Sequence, residues 1–597
     1  MTITRKAQDL IRFKCRKCSL TYGVAPCTAS GASGTECRNT RKTCQDLPNY
    51  TETTQNIDFV EASEAIPDTG NIIFPTLNEK GVSYKENEIN PGALSRKVSA
   101  LGKTGDITIS LMDHIHHDRG IDPYYSTRPT EPQGTYWVRW LARNYYQGMT
   151  IERYRVIDGV VSTDKQTFYV KDISYSNGNV SVRAEDIIKK LSETLIPAVS
   201  TGILASDITD SQTIFTVTGG SYEASGSIVI NDETMTYTRV GETFTVVRGA
   251  NAKSHSQNDN VQQALVYTDQ RVDDVAYDLT VNQAGADSSL VTFADWQDEI
   301  TAFLPAVRLT RTIGEPTEFG KLLAELQEQT LVSEFFDQDS QKIRLVAYKP
   351  GITVKQINDD SNITSAGVPT QRDDDARINV VTVHYGKTDP LEDDKPKNYA
   401  RTQKIIAPAE TIARYDGAIK ERQVFANWLA ADQQSQAYYL GSLMLIEGEE
   451  ERTTVGFELE YKDNDLDITD IVAITTRDLV DASGAPIEKT AIVISKKEVE
   501  VGSRWQYKAI LSAYANLRFG YIAPTNIDEE YAGEWTYDLL NDTLTNIDLM
   551  DGSDSFDLNY APFYNFWWVT EEQKDKYVWL SDGTNNFDDG REPYQLV

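Results

Sequence analysis

All five cysteines of this 597-residue chain fall within its first 44 positions, as Cys15, Cys18, Cys27, Cys37 and Cys44. Thiols placed by chance would scatter along the chain, so this density signals a bound ion, a metal cluster or a disulfide knot. The stretch reads RFKCRKCSLTYGVAPCTASGASGTECRNTRKTCQDLPNY, and its polar, Gly/Ser-rich spacers hold too few apolar residues for a core of their own. A covalent or coordinate link must therefore hold it together. Three chemistries are open. Zinc sites usually show two short C-x2-4-C pairs; here only Cys15 and Cys18 are that close, and the other spacings are C-x8-C, C-x9-C and C-x6-C. Disulfides need an exporting compartment, and an odd count leaves one thiol over. The opening MTITRKAQDLIRFKCRK has no apolar run of the kind a secretory signal carries. Iron–sulfur clusters need four thiolates and tolerate wide, irregular spacing, because the inorganic core sets the geometry.

Cys18-SLTYGVAP-Cys27, then Cys37-RNTRKT-Cys44 and the pair Asn49-Tyr50, resembles the cluster-binding domain of lambda-type minor tail proteins. That family has the same C-x8-C with an internal Thr-Tyr, then thiols six residues apart, then Asn-Phe. The resemblance implies a [4Fe–4S] cluster held by Cys18, Cys27, Cys37 and Cys44, with Cys15 spare and zinc the alternative metal. The match covers about fifty residues. The present chain departs from the family in a shorter spacer between the two pairs and in carrying the motif at its start rather than its end.

Bulk properties bound the remainder. At 66.9 kDa the chain exceeds a single core, and about three to five domains are expected. No apolar run approaches the ~20 residues of a membrane helix. A formal net charge of −32 argues against a nucleic-acid binder, since phosphate affinity needs clustered Lys and Arg. The charge is uneven: residues 1–50 are net basic and the tail beyond Thr525 is strongly acidic, an asymmetry that suits head-to-tail stacking.

Strand signals dominate from Leu101 onward. DITISLMDHI, TFYVKDISY and VSVRAEDI alternate between Gly, Asn or Asp breaks, and TTVGFELEY, DIVAITTRD, AIVISKKEVE and QYKAILSAYA continue the pattern. TYWVRWLARNYYQGMTIERYRVIDG predicts a short helix followed by a strand. FGKLLAELQEQTLVSEFF at 319–336 has the apolar spacing of a helix, and a second helix is expected near 419–446. The fold class expected is mainly β and multidomain (α+β), and the barrel-like domains in it are what the resemblance given at the end of this section implies. The layout runs: a Cys-rich domain at 1–60, an extended connector at 61–95, a barrel at 96–202, an inserted small β domain at 203–268, a middle α+β domain at 269–395, a second barrel-like and helical domain at 396–520, and an acidic, aromatic segment at 521–597. The insert carries INDETMTYT and FTVVRG and resembles a small β-domain of phage tail and baseplate proteins. Its Arg248-Gly249 pair reads as structural, Gly for a turn and Arg to satisfy carbonyls.

His114-Ile115-His116-His117-Asp118 gathers three of the five histidines and could hold a metal as a two-His, one-carboxylate set. The competing reading, a hydrogen-bonded folding loop, is preferred. Asp463-Asn464-Asp465-Leu466-Asp467 imitates a calcium loop but lacks the turn Gly and the closing Glu. Glu449, Glu450, Glu451 and Arg452, like Asp373, Asp374 and Asp375, read as solvated turns. No Walker loop, G-x-S-x-G elbow or H-E-x-x-H helix occurs. Trp535, Trp567, Trp568 and Trp579 supply four of nine tryptophans, so the C-terminal segment is expected to pack or dock rather than stay unfolded.

ISLMDHIHHDRGIDPY with GTYWVRWLARNYYQG, then RINVVTVHYGKTDP, RQVFANWLA and FELEYKDNDLDITDIVAITTRDLVDASGAP, resemble the domains of siphophage tail-tip (baseplate) hub proteins. This loose likeness covers roughly residues 95–515. It implies a non-enzymatic virion component made in the host cytoplasm and built into the tail tip as a homotrimer. Its implied partners are distal tail and tail-tube proteins, the tape-measure C-terminus, and central-fibre or receptor-binding proteins. Genomic DNA would pass during ejection and host entry without specific binding. The competing class is a metal-dependent enzyme carried on a virion, either a redox protein or a cell-wall hydrolase.

Overall fold

The computed structural model describes residues 7–30, 37–62, 66–91, 100–114, 134–249, 251–349, 353–365, 367–373, 377–415, 417–448 and 452–512, and three short strands beyond them. It is a mainly β, multidomain fold.

The first domain is a closed barrel of seven strands: β1 (Ala7–Cys18), β2 (Glu52–Glu61), β3 (Ile72–Lys85), β4 (Asp106–Met112), β5 (Thr150–Ile157), β6 (Val160–Ser176) and β7 (Asn179–Glu185), in the order β1-β2-β3-β4-β7-β6-β5. Antiparallel β1–β5 pairing, with Leu10 opposite Tyr154, closes the ring. Period-two alternation aims Ile11, Phe13, Ile57, Phe59, Ile107, Ile109, Val180 and Val182 inward. Helix α1 (Tyr136–Arg143) fills the interior with Tyr136, Trp137 and Trp140, and Trp137 stacks on Phe59 at 5.5 Å. Two expectations are corrected here. Residues 1–60 are not a separate domain, because β1 and β2 are barrel staves; the basic residues alternating with Ile11, Phe13 and Cys15 hid a strand inside the cysteine cluster. The connector expected at 61–95 contains β3, which pairs with both β2 and β4.

After α2 (Ile187–Leu191) and β8 (Leu195–Ile196) comes the insert: β9 (Gly202–Leu204), β10 (Ile214–Thr218), β11 (Ser225–Ile230), β12 (Glu233–Val240), β13 (Thr243–Val247) and β14 (Asn260–Gln270). Because β14 pairs with both β9 and β11, these six strands close on themselves around Phe215, Ile228, Met235, Tyr237 and Phe244. Arg248, whose side chain is 4% exposed, is ion-paired to buried Glu233 at 2.5 Å and donates to Gln212 O at 3.2 Å and to the carbonyls of Thr209 and Lys253. The carbonyl role expected of Arg248 is present, and a carboxylate clamp is added to it. Glu233 is desolvated, but Arg248, the Lys253 amide and His255 hold its pKa down at about 2.

The largest core lies in the middle of the chain. Helices α3 (Val272–Tyr277), α4 (Phe293–Phe303) and α5 (Phe319–Thr330) pack with β15 (Leu309–Ile313), β16 (Thr317–Glu318), β17 (Val332–Asp337) and β18 (Lys342–Ala347). The helix expected to reach residue 336 stops at Thr330. Leu331 turns left-handed, at φ 57°, and β17 follows, since VSEFF is β-rich and buried along its length. The strands β19 (Lys355–Asn358) and β20 (Thr370–Asp373) leave this core for a later sheet. β21 (Val380–Lys387) stays in it, flanked by β22 (Tyr399–Ile406) and β23 (Glu421–Ala426). A boundary at 395/396 would cut that sheet, so the division placed there is corrected. The helix expected from 419 begins only at Gln434: the short α6 (Ala409–Ala413) precedes β23, and α7 (Gln434–Gly448) crosses β21 and β22. The crossing is close enough that a Cβ on Gly441 would lie 2.5 Å from Ile405 Cδ1.

The final sheet is β19-β25-β26-β27-β24-β20, completed by β24 (Arg452–Glu460), β25 (Ile471–Val480), β26 (Pro486–Glu500) and β27 (Arg504–Leu511). The calcium-like acids at its edge face lysines: Lys355 lies 3.0 Å from Asp463 and 2.5 Å from Asp465. Of the aromatic tail, β28 (Trp535–Asp538), β29 (Thr543–Asn546) and β30 (Ser555–Asp557) form an antiparallel sheet. Trp567, Trp568 and Trp579 lie outside the described residues.

One buried acid in the middle core predicts a pH response. Glu334 on β17 is 2% exposed; one oxygen accepts from Thr280 Oγ1 at 2.7 Å and the other has no partner. Burial raises its pKa to about 8. Its contribution to stability is thus complete below pH ~4.5, where the unfolded chain also holds the proton, and is lost as pH rises through about 8. Glu334→Gln should flatten this slope and leave the variant more stable by a few kcal/mol at pH 9, and urea unfolding at pH 5 and pH 9 measures both.

Candidate metal centre

The cysteine-rich stretch is the connection between neighbouring barrel strands. β1 ends at Cys18, which pairs with Glu52 at the start of β2, and residues 19–51 make a long excursion between them. Backbone bonds fold the excursion back on its base: Cys18 N donates to Asn39 O at 2.8 Å, Ser19 N to Thr51 O at 2.8 Å and Cys37 N to Leu20 O at 3.2 Å. Local turns then present the remaining thiols, with Cys27 N donating to Val24 O at 2.9 Å and Cys44 N to Thr40 O at 2.9 Å.

Four of the five cysteines meet. Cys18, Cys27, Cys37 and Cys44 line one cleft of about 250 Å³, counting its open mouth, together with Leu20, Tyr22, Asn39, Asp46, Asn49 and Tyr50. Cys15 is elsewhere: it points into the barrel core beside Trp140, and burial raises its thiol pKa to about 12. Strand geometry separates the pair that is closest in sequence, because residues three apart on a strand face opposite sides. Cys15 shares its side with Ile11 and Phe13, leaving Cys18 on the other.

All five thiols are free of disulfides. Desolvation raises the pKa of Cys37, and the neighbouring Cys18 adds to it; desolvation likewise raises Cys44, with Cys18 and Cys27 contributing. Both of these thiols resist ionisation unless positive charge arrives beside them. Among the described residues, no group of three or more His, Cys, Asp or Glu is placed to hold a single metal ion. A tetrahedral zinc at Zn–S of about 2.3 Å draws its sulfurs to about 4 Å from one another, whereas a cluster core keeps its thiolates apart around inorganic atoms. Four thiols on one cleft are the donor set that a four-thiolate cluster and a tetrahedral zinc both require.

Polar groups around the sulfurs complete the fit. Asn39 Nδ2 lies 3.6 Å from Cys37 Sγ, and the Asp46 amide donates to Cys44 Sγ at 3.4 Å. Hydrogen bonds of this kind delocalise thiolate charge and fix ligand orientation. Asp46 also accepts from Thr28 N at 2.7 Å and from Asn49 Nδ2 at 3.0 and 3.1 Å, which ties the Cys27 arm to the Cys44 arm. These bonds hold its carboxyl pKa below the usual range. The excursion docks on α1: Thr40 Oγ1 donates to Arg143 O, Lys42 Nζ to Leu141 O at 3.2 Å, and Arg16 on β1 reaches Gly148 O at 3.1 Å. Last-turn carbonyls of α1 thus find partners in the cysteine loop. A cluster supplied to this site would act as a cross-link and a one-electron centre. The chain's own residues would furnish its thiolates; they donate hydrogen bonds to sulfur and anchor the loop to the barrel plug.

The histidine motif is described only in part. The His114 ring stacks on Tyr136 at 4.7 Å and lies 5.0 Å from Phe74, which places it in the aromatic cluster around α1. His116, His117 and Asp118 lie outside the described residues, as do Glu449, Glu450, Glu451, Asp374 and Asp375. Reading the sequence missed Asn39 and Asp46 as sulfur-side residues, although both lie within two positions of a cysteine, where a backbone or amide donor naturally reaches Sγ.

No family model matches the chain, and no curated protein matches it. Among solved structures it is similar to a tail protein of Neisseria meningitidis MC58, at 10% identity and a TM-score of 0.36, over 73% of this chain and 93% of that one. It is similar also to prophage tail protein gp18 of Listeria monocytogenes EGD-e, at 9% identity and a TM-score of 0.34, over 73% of this chain and 90% of that one. A chain from the virion of a native gene transfer agent particle matches at 11% identity and a TM-score of 0.30, over 54% of this chain and 83% of that one. The structural neighbours are thus phage-tail and virion proteins, and likeness at this level describes partial fold similarity only.

Proposed function

We propose that this chain is a structural protein of the tip of a long, non-contractile phage tail. In this reading it is a trimeric hub that joins tail tube to receptor-binding tip, and a [4Fe–4S] cluster at Cys18, Cys27, Cys37 and Cys44 staples its N-terminal barrel. One observation carries the reading: the four thiols picked out by the tail-protein resemblance line one cleft, while the fifth is consumed by the barrel core. The loop bearing them connects adjacent staves and docks on α1, a position suited to rigidity at a subunit junction. The net charge of −32 further suits a lumen through which DNA must pass without sticking. Receptor engagement at the tip is relayed through rearranged subunit contacts, not through turnover.

The test is purification without air, with iron and sulfide content and native mass measured together, and assembly of particles from a phage genome lacking this gene. Iron and sulfide in equal amounts, a mass of three copies and particles without a functional tip are expected. Iron-free monomers, or complete infectious particles made without the chain, would sink the proposal.

A further inference from the structure

Tyr50 follows Asn49 at the close of the cysteine excursion and brings a phenol hydroxyl to the site. That hydroxyl oxygen is buried and has no hydrogen-bond partner, and Tyr50 lines the same cleft as the four thiols. An unpaired buried hydroxyl costs on the order of 1–3 kcal/mol. The backbone that carries it is held: Tyr50 N bonds Leu47 O at 3.2 Å in the turn Leu47–Asn49, and Asn49 is held by Asp46.

We propose that the Tyr50 hydroxyl donates a hydrogen bond to sulfur of the cluster held by Cys18, Cys27, Cys37 and Cys44, and so raises its reduction potential. Adding an electron concentrates negative charge on sulfur, and a donor there stabilises the reduced form more than the oxidised one. Asn39 Nδ2, 3.6 Å from Cys37 Sγ, acts in the same direction from the other side of the cleft. Tyr50 is a positioning and tuning residue in this account, and the account rests on the cluster reading above.

The experiment is a redox titration of full-length protein, followed by visible absorbance, for wild type, Tyr50→Phe and Asn39→Leu, each with its iron and sulfide content. Tyr50→Phe keeps the ring and removes only the hydroxyl, so iron should be retained. The ratio of reduced to oxidised cluster at fixed potential should fall up to about tenfold, or about 59 mV for one electron. Asn39→Leu should shift the same way. Retained iron with an unchanged midpoint overturns the proposal, and iron lost from Tyr50→Phe overturns it equally by making the hydroxyl a folding group. A wild-type protein that carries zinc or no metal is recognised before any variant is made, and it overturns the cluster reading itself.

Discussion

Cys37→Ser should cost the protein its iron, whereas Cys15→Ala should leave iron at ~4 atoms per chain. The asymmetry follows from where the two thiols point. Cys37 is one of four sulfurs around a cleft in a loop held by hydrogen bonds with little apolar packing, for Val24 and Leu47 are 44% and 50% exposed. Removing one ligand removes the cross-link between its arms, and loss of affinity by about 100-fold or more is expected, since even outer-shell changes cost 10–100-fold. The loop should then open, freeing the α1 carbonyls of Leu141 and Arg143 from Lys42 and Thr40. Limited proteolysis reads this as new cleavage between Ser19 and Thr51 with the barrel intact. Cys15→Ala removes one sulfur from a packed aromatic core, which costs about 1 kcal/mol and leaves the cleft untouched. Iron retained by Cys37→Ser and lost from Cys15→Ala would reverse the assignment of ligand and bystander.

The four cysteines that the family resemblance implies as ligands do line one cleft, but the reason Cys15 lies apart from them was not legible. It required seeing that IRFKCRK is a strand, in which Cys15 continues the inward row of Ile11 and Phe13. Basic residues in the alternate positions made the segment look like a solvated loop. The same blindness split the barrel: a parallel β2–β3 pairing joins residues that no local pattern relates. Strands from Asp106 to Glu185 were legible because each alternates between clear breaks, and α1 because three large aromatics recur at helical spacing. The overlong helices failed for one cause. In LVSEFF and RQVFANW the apolar residues fit either period, and long-range pairing decides: β17 with β18, and β23 with β21. Tyr50 illustrates the opposite limit, since its ring was noticed and its orphaned hydroxyl is visible only in three dimensions.

Arg153→Met should destabilise the protein by about 3–5 kcal/mol, because it strips the cation from a buried ionic junction. Arg153 on β5 has a side chain only 4% exposed; it pairs with Asp9 of β1 at 2.7 Å and with Glu498 of β26 at 2.9 Å, and it donates to Gln166 at 2.8 Å. Arg155 pairs with Glu498 at 2.7 Å, and the Gly502 amide donates to the same carboxylate at 2.7 Å. Tyr84 of β3 lies under the Arg153 guanidinium at 5.2 Å and accepts from the Glu498 amide. The junction therefore locks the N-terminal barrel to the final sheet across nearly 500 positions of sequence. Desolvation already raises the Asp9 pKa, and Arg153 is the first group opposing it. Without that cation, the Asp9 pKa in the folded state rises further above its unfolded value. Stability of the variant is then fullest below pH ~4 and falls as pH climbs, so the gap to wild type should be wider at pH 8 than at pH 4. Asp9→Asn placed on Arg153→Met should recover part of the loss by removing the stranded charge, as a double-mutant cycle would register. If instead the melting temperature of Arg153→Met is unchanged at both pH values, the two domains are held by packing alone. What couples the cysteine-bearing barrel to the final sheet must then be sought in the apolar contacts between them.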